Sequence, residues 1–149
     1  MSADPARIAR ELVALRTGLG ARAAGAWRVE GDRLVQLAFD AADDMPPDVA
    51  SAFAAATVFA PLDRRDLGIV EAAVRGERRV SLAANLPADA GSGYWLRAFG
   101  AGRSIAVPIA AGDGTIVGVV SVALAGFDLA DDAVEGRLRE ATSGWFASD

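Results

Sequence analysis

The stretch from Arg103 to Leu124 constrains the fold of this chain more than any other. It reads strand, turn, strand: Arg103-Ser104-Ile105-Ala106-Val107-Pro108-Ile109, then Gly112-Asp113-Gly114, then Ile116-Val117-Gly118-Val119-Val120-Ser121-Val122-Ala123-Leu124. Both runs are rich in β-branched residues, and an Asp-Gly pair between such runs is a strong short-range hairpin signal. The second strand is apolar on both faces, with Val120 and Val122 projecting one way and Val119 and Ala123 the other. Such a strand must be covered on both sides, which places the hairpin mid-sheet in a layered domain of helices and sheet.

The rest of the chain supplies the covering layers. Asp4 followed by Pro5 starts a helix whose stripe is Ile8, Leu12, Leu15 and Leu19, with Gly18 and Gly20 ending it. Two strands follow, roughly Gly25 to Val29 and Leu34 to Phe39, joined across Glu30-Gly31-Asp32. A polar loop leads to Pro46-Pro47-Asp48, which opens a helix carrying Val49 and Phe53 to about Ala56. Val58 to Leu62 is extended, and Asp66 starts a helix through Ile69 and Val70 that Gly76 stops. Arg79 to Ala83 is a strand, and Ser92 to Phe99 a short helix after a loop from Asn85 to Gly93. Beyond the hairpin, Asp128 is expected to cap a last helix with the stripe Val134, Leu138, Ala141 and Trp145. The two terminal helices would cover one face of an antiparallel sheet, and the middle helices and loops the other. The expectation is one domain over residues 1–149, a length that supports a sizeable core.

Composition narrows the chemistry. The chain has no Cys and no His, and all fifteen of its basic residues are Arg. Zinc, haem or copper sites of the usual kind therefore lack ligands. Thiol nucleophiles, Schiff bases, P-loop lysines and Ser-His-Asp triads are excluded with them. No metal and no cofactor is expected. A net charge of −5 argues against a non-specific grip on nucleic acid or anionic lipid. No apolar run approaches a membrane span, and Met1-Ser2-Ala3-Asp4-Pro5 lacks leader character, so a cytoplasmic location is expected.

At this point three stretches carry a resemblance. Leu67-Gly68-Ile69-Val70-Glu71-Ala72-Ala73-Val74-Arg75-Gly76, running on to the strand at Arg79-Val80, is similar to a helix-Gly-strand pattern of the GAF domain family. Gly102 to Ile109 resembles that family's penultimate strand, and Ile116 to Val122 its last one, followed by an acidic helix start at Asp131-Asp132. The resemblance runs nearly end to end. It implies an α/β chain of the α+β type: a GAF-like central antiparallel sheet, terminal helices on one face, and shorter helices and loops forming a small-molecule pocket on the other. Bilin-binding and methionine-sulfoxide-reducing relatives work through Cys, haem-binding ones through His, and the cyclic-nucleotide signature needs Lys. None of those residue types is present. The resemblance thus implies a non-catalytic sensory domain that binds an unidentified small molecule and signals to a partner protein. The alternative is a ligand-free dimerisation or docking scaffold of the same fold.

The residues expected at a ligand site are Trp27, Phe39, Tyr94, Trp95, Arg97, Phe99, Arg103 and Ser104. Tyr94, Trp95 and Phe99 sit on the short helix before the hairpin; Trp95 and Phe99, four apart, suit core packing, whereas Tyr94 lies off that stripe and is the better ligand candidate. Arg97 and Arg103 flank the helix, as pocket-rim anion contacts or as solvated surface residues. Ser104 and Ser121 carry hydroxyls on the core strands, free to orient a ligand or to bond their own neighbourhood. Trp27 and Phe39 on the first two strands either line the pocket or fill core. The pairs Asp43 and Asp44, Asp63 and Asp66, and Asp131 and Asp132 suit helix starts better than catalysis or cation binding. The family resemblance also implies a homodimer through the terminal helices, with Leu12, Leu15, Val134, Leu138 and Trp145 at the interface.

Overall fold

The computed structural model describes residues 3–146. Met1 and Ser2, read above as part of a segment without leader character, lie outside the described residues, as do the last three of the expected domain. Six antiparallel strands form one sheet: β1 Ala23–Glu30, β2 Arg33–Ala41, β3 Phe59–Pro61, β4 Arg79–Leu82, β5 Arg103–Ala110 and β6 Ile116–Leu124. Their order is β3-β2-β1-β6-β5-β4. The hairpin β5–β6 is therefore interior, as its two-sided apolar pattern requires, and β6 pairs with β1 from the other end of the chain. Its turn is longer than an Asp-Gly pair suggests. Ala111 N–H donates to Thr115 O at 2.8 Å, Asp113 accepts from Thr115 N–H at 2.9 Å, and Gly114 takes a left-handed φ of 88°.

Helices α1 Pro5–Leu19 and α5 Asp131–Thr142 cover the rear face of the sheet. Asp4 caps α1 as expected, accepting from the amides of Ala6 and Arg7 at 3.1 and 3.2 Å. Ile8, Leu12 and Leu15 of α1 and Val134 and Leu138 of α5 pack on the rear-facing Ile105, Val107, Val120 and Val122. Helices α2 Pro47–Ala56, α3 Gly68–Arg75 and α4 Gly91–Phe99 cover the front.

Three local expectations, for Asp128, Trp145 and Asp66, are corrected here. Asp128 does not cap α5: the helix starts three residues later, with Ala130 at the cap position and no side-chain cap bond. Trp145 lies beyond the end of that helix, after Gly144 at φ 86°, and reaches the core from a turn. Its Nε1–H donates to Glu11 at 3.0 Å, tying the two ends of the domain together. Asp66 likewise does not cap α3, where Leu67 holds the cap position; Asp66 pairs instead with Arg64. Finally, Leu12, Leu15, Val134, Leu138 and Trp145 are all buried against their own sheet, at 6% exposure or less.

The register of β1 with β2 carries one irregularity that matters at the front. Ala26 faces Ala38 but Trp27 faces Gln36, leaving Leu37 as an extra residue in β2. The bulge sends Leu37 towards the rear cluster, while Phe39, opposite Gly25, belongs to the front.

Candidate functional site

Between the front of the sheet and helices α2, α3 and α4 lies a cavity of about 50 Å³. Sixteen residues line it and none is charged. The sheet supplies the floor: Gly25 and Trp27 from β1, Phe39 from β2, Ser104 from β5, and Ser121 and Ala123 from β6. Period-two alternation puts Ser104 on the front while its neighbours Arg103 and Ile105 turn to the rear. Ser104 pairs with Ala123 and Ser121 with Ala106, so the two serines are diagonal neighbours on one face of the hairpin. Neither hydroxyl bonds to another group among the described residues. These are free hydrogen-bonding groups on an otherwise apolar floor.

Trp27 shapes that floor. It is 1% exposed, and its Nε1–H donates to the Thr57 carbonyl at 2.9 Å. Its ring lies back along the strand over Gly25, where an added Cβ would sit 2.7 Å from Cζ3. Gly25 is thus a close-approach glycine that makes room for the indole.

The helices form the roof. From α4, Ser92, Trp95, Leu96 and Phe99 face the cavity at i, i+3, i+4 and i+7. The start of α3 contributes Leu67, Gly68 and Ile69, with the Gly68 amide donating to Ser92 Oγ at 2.9 Å. Glu71, in the first turn of α3, holds that helix to the preceding loop by accepting from Arg65, and accepts also from Arg75 one turn on in the same helix. Those two guanidinium groups, Arg65 first, bring its carboxyl down to about 2 from 4.5. From α2 only Phe53 enters. Its ring centroid lies 5.0 Å from Phe99, 5.1 Å from Trp95 and Phe39, and 6.3 Å from Trp27, edge-on to all but Phe39.

Of the residues expected at the site, Trp27, Phe39, Trp95, Phe99 and Ser104 line the cavity. Tyr94, Arg97 and Arg103 do not. Tyr94 is 48% exposed on the outer side of α4, touching only the edge of Trp95 among the rings. Arg97 folds back on the backbone, donating to Gly93 O at 3.1 Å and Ala83 O at 2.6 Å. Arg103 is neither at the pocket rim nor a solvated surface residue. It is 3% exposed on the rear of β5, where it donates to Asp131 and to the carbonyls of Leu129 and Gly126. Phe127 covers its guanidinium at 5.1 Å. Tyr94 and Arg97 both fall off the helical stripe of Ser92, Trp95 and Phe99, which turns them away from the cavity. Phe53 was missed as a site residue. Its signal was its standing as the one aromatic on an alanine-rich helix.

The acidic pairs act singly, each through an arginine: Asp44 with Arg22, Asp66 with Arg64, Asp131 with Arg103 and Asp132 with Arg78. Among the described residues no group of three or more carboxylates is placed to hold a metal ion. No helix of the described residues is long and apolar enough to cross a membrane.

No family model matches the sequence, and no curated protein matches it. Solved structures do match. The GAF domain of a two-component sensor histidine kinase from Bacillus halodurans superposes with a TM-score of 0.68 at 11% identity, over 95% of this chain and 90% of that one. The second GAF domain of DevS from Mycobacterium smegmatis gives 0.59 at 20% identity, over 95% and 93%. The free methionine-R-sulfoxide reductase from Neisseria meningitidis, in complex with its substrate, gives 0.64 at 19% identity, over 93% and 73%. Likeness at such identities is one of fold, and the chain has the GAF-like fold.

Proposed function

We propose that this chain is a non-catalytic sensory domain that binds a small, uncharged molecule in the front cavity and passes a conformational shift to a partner. One observation carries the reading: the cavity is walled by aromatic rings yet floored by two hydroxyls, Ser104 and Ser121, with no bonding partner among the described residues. Both serines are part-buried, so solvent reaches them in the cavity, and a ligand that displaces it would have to supply their hydrogen bonds. Sensor domains among the structural neighbours share the fold. Two neighbours are free methionine-R-sulfoxide reductases, but the lining of this cavity holds no carboxylate and the chain has no Cys, His or Lys for acid–base or thiol chemistry. A route for the signal is built into β5. Ser104 touches the cavity, and its neighbour Arg103 grips Leu129 and Asp131 at the start of α5.

The test is native mass spectrometry with a thermal-shift screen of metabolites. A ligand at a hundredfold its dissociation constant stabilises by about 2.7 kcal/mol. A screen in which no compound gives more than about 1 kcal/mol at saturation refutes the reading.

A second reading, a ligand-free scaffold, has its own support. About 50 Å³ holds roughly three to five waters, well below the ~150 Å³ that takes a benzene in other apolar interiors. A dimer in that reading would use the outer faces of α1 and α5, where Val13 is 45% exposed. Light scattering that shows a monomer at high concentration removes it.

A further inference from the structure

The geometry points to the class of ligand and to the side chain that holds its place: Phe53 is a plug, and the cavity takes a small uncharged monocyclic aromatic bearing one hydroxyl, which displaces it. This rests on the sensory reading above. Phe53 contacts Trp27, Trp95 and Phe99 edge-to-face, at interplanar angles of 84°, 80° and 74°. Those three rings form a slot for a six-membered aromatic, because edge-to-face pairs favour a ring over an aliphatic group of equal size. Ser104 and Ser121 line the same cavity, so a hydroxylated ring in the Phe53 position has a polar partner that Phe53 itself cannot use.

The plug is mounted on an element that can yield. Helix α2 has no buried residue of its own and no side-chain cap bond. Its anchors sit at its ends: Met45, 4% exposed, before it, and Thr57, 1% exposed, after it. Thr57 is held by Trp27 through its carbonyl and by Gln36 through its hydroxyl, at 2.9 and 3.0 Å. Between these anchors the helix meets the core chiefly through Phe53, packed with Val49 and Ala50 only partly buried beside it. Withdrawing one ring therefore opens the slot while the ends stay fixed. Benzoate, similar in size, is excluded because no cation lines the cavity to compensate its charge.

Phenol, cyclohexanol and benzoate titrated into the full chain, read by the fluorescence of Trp27 and Trp95, test this. Phenol is expected to saturate, with cyclohexanol and benzoate each at least about tenfold weaker. Ser104→Ala and Ser121→Ala should each weaken phenol several-fold. Phe53→Ala should bind phenol about tenfold more tightly than wild type, because no plug competes. Phe53→Leu, which keeps most of the volume should the alanine variant fail to fold, should shift the same way. Equal affinities for phenol and cyclohexanol, no phenol binding to wild type, or unchanged affinity in the foldable Phe53 variants overturn the inference. If phenol fails but another metabolite stabilises the protein in the thermal-shift screen, the sensory reading stands and the aromatic class falls. If every compound fails, both fall.

Discussion

Replacing Gly25 by Ala sets two physical effects against each other, and the structure decides the sign. Gly25 lies inside β1 with no positive φ, so alanine is conformationally allowed there. On backbone grounds the change should stabilise by about 0.5–1 kcal/mol, since glycine loses more freedom on folding. Sterics point the other way. The new Cβ would lie 2.7 Å from Trp27 Cζ3, 3.1 Å from Cζ2 and closer still to Cη2. The indole is 1% exposed and pinned to Thr57 O, so it has little room to retreat. Overpacking of this kind costs about 1–3 kcal/mol, and losing the indole hydrogen bond about 1 more. The net is a loss of roughly 1–3 kcal/mol, or about 2–12 °C in melting temperature for a chain of this size. Urea denaturation followed by tryptophan fluorescence and by circular dichroism measures it. The contrasting control is Gly136→Ala in α5, where no atom lies within 4 Å of the added Cβ and helix propensity should stabilise by about 1 kcal/mol. If Gly25→Ala is as stable as wild type or more so, Trp27 does not lie over Gly25 and the account of the cavity floor is wrong.

Other substitutions probe the remaining parts. Arg103→Met should destabilise by roughly 2–3 kcal/mol, at the low end for a buried pair because Asp131 is 38% exposed and rehydrates; chemical denaturation checks it, and a change under about 0.5 kcal/mol would show the clamp to be idle. Glu71 is ionised in the fold down to about pH 2, against 4.5 when unpaired, so its pairing stabilises fully above about pH 4.5 and is lost as pH falls towards 2. Wild type should therefore lose stability relative to Glu71→Gln across that window, with parallel curves above pH 5.5 or so; curves parallel throughout would contradict the assignment. Tyr94→Ala should leave ligand affinity and stability unchanged within about 0.5 kcal/mol by titration and melting, as its solvent-facing position requires.

Much of the frame was legible because it rests on local periodicity. The i, i+4, i+7 stripe of α1 needs no partner to be recognised, and the double-sided apolar pattern of β6 dictates cover on both faces. Asp4 caps its helix because the bond spans only two or three residues. Asp66 and Asp128 were misread as caps. A carboxylate near a helix start has other donors at the same short range, and Asp66 is held by Arg64, two residues before it, rather than by an amide. An apolar stripe likewise states that a face is covered but not by what, and the stripes of α1 and α5 are covered by their own sheet.

The layers were readable before folding: which stretches are helix or strand, which strand is interior, and which chemistries the missing residue types forbid. These follow from side-chain period and composition, which are properties of the chain alone. The site was not readable in that way. That Trp27 folds back over Gly25, that Phe53 rather than Tyr94 enters the ring cluster, and that Arg103 grips the start of α5 all depend on which distant segments meet. The pairing of β1 with β6 sets those meetings, joining residues nearly a hundred positions apart. Close packing then lets one ring occupy the slot and leaves the others at its walls or in solvent.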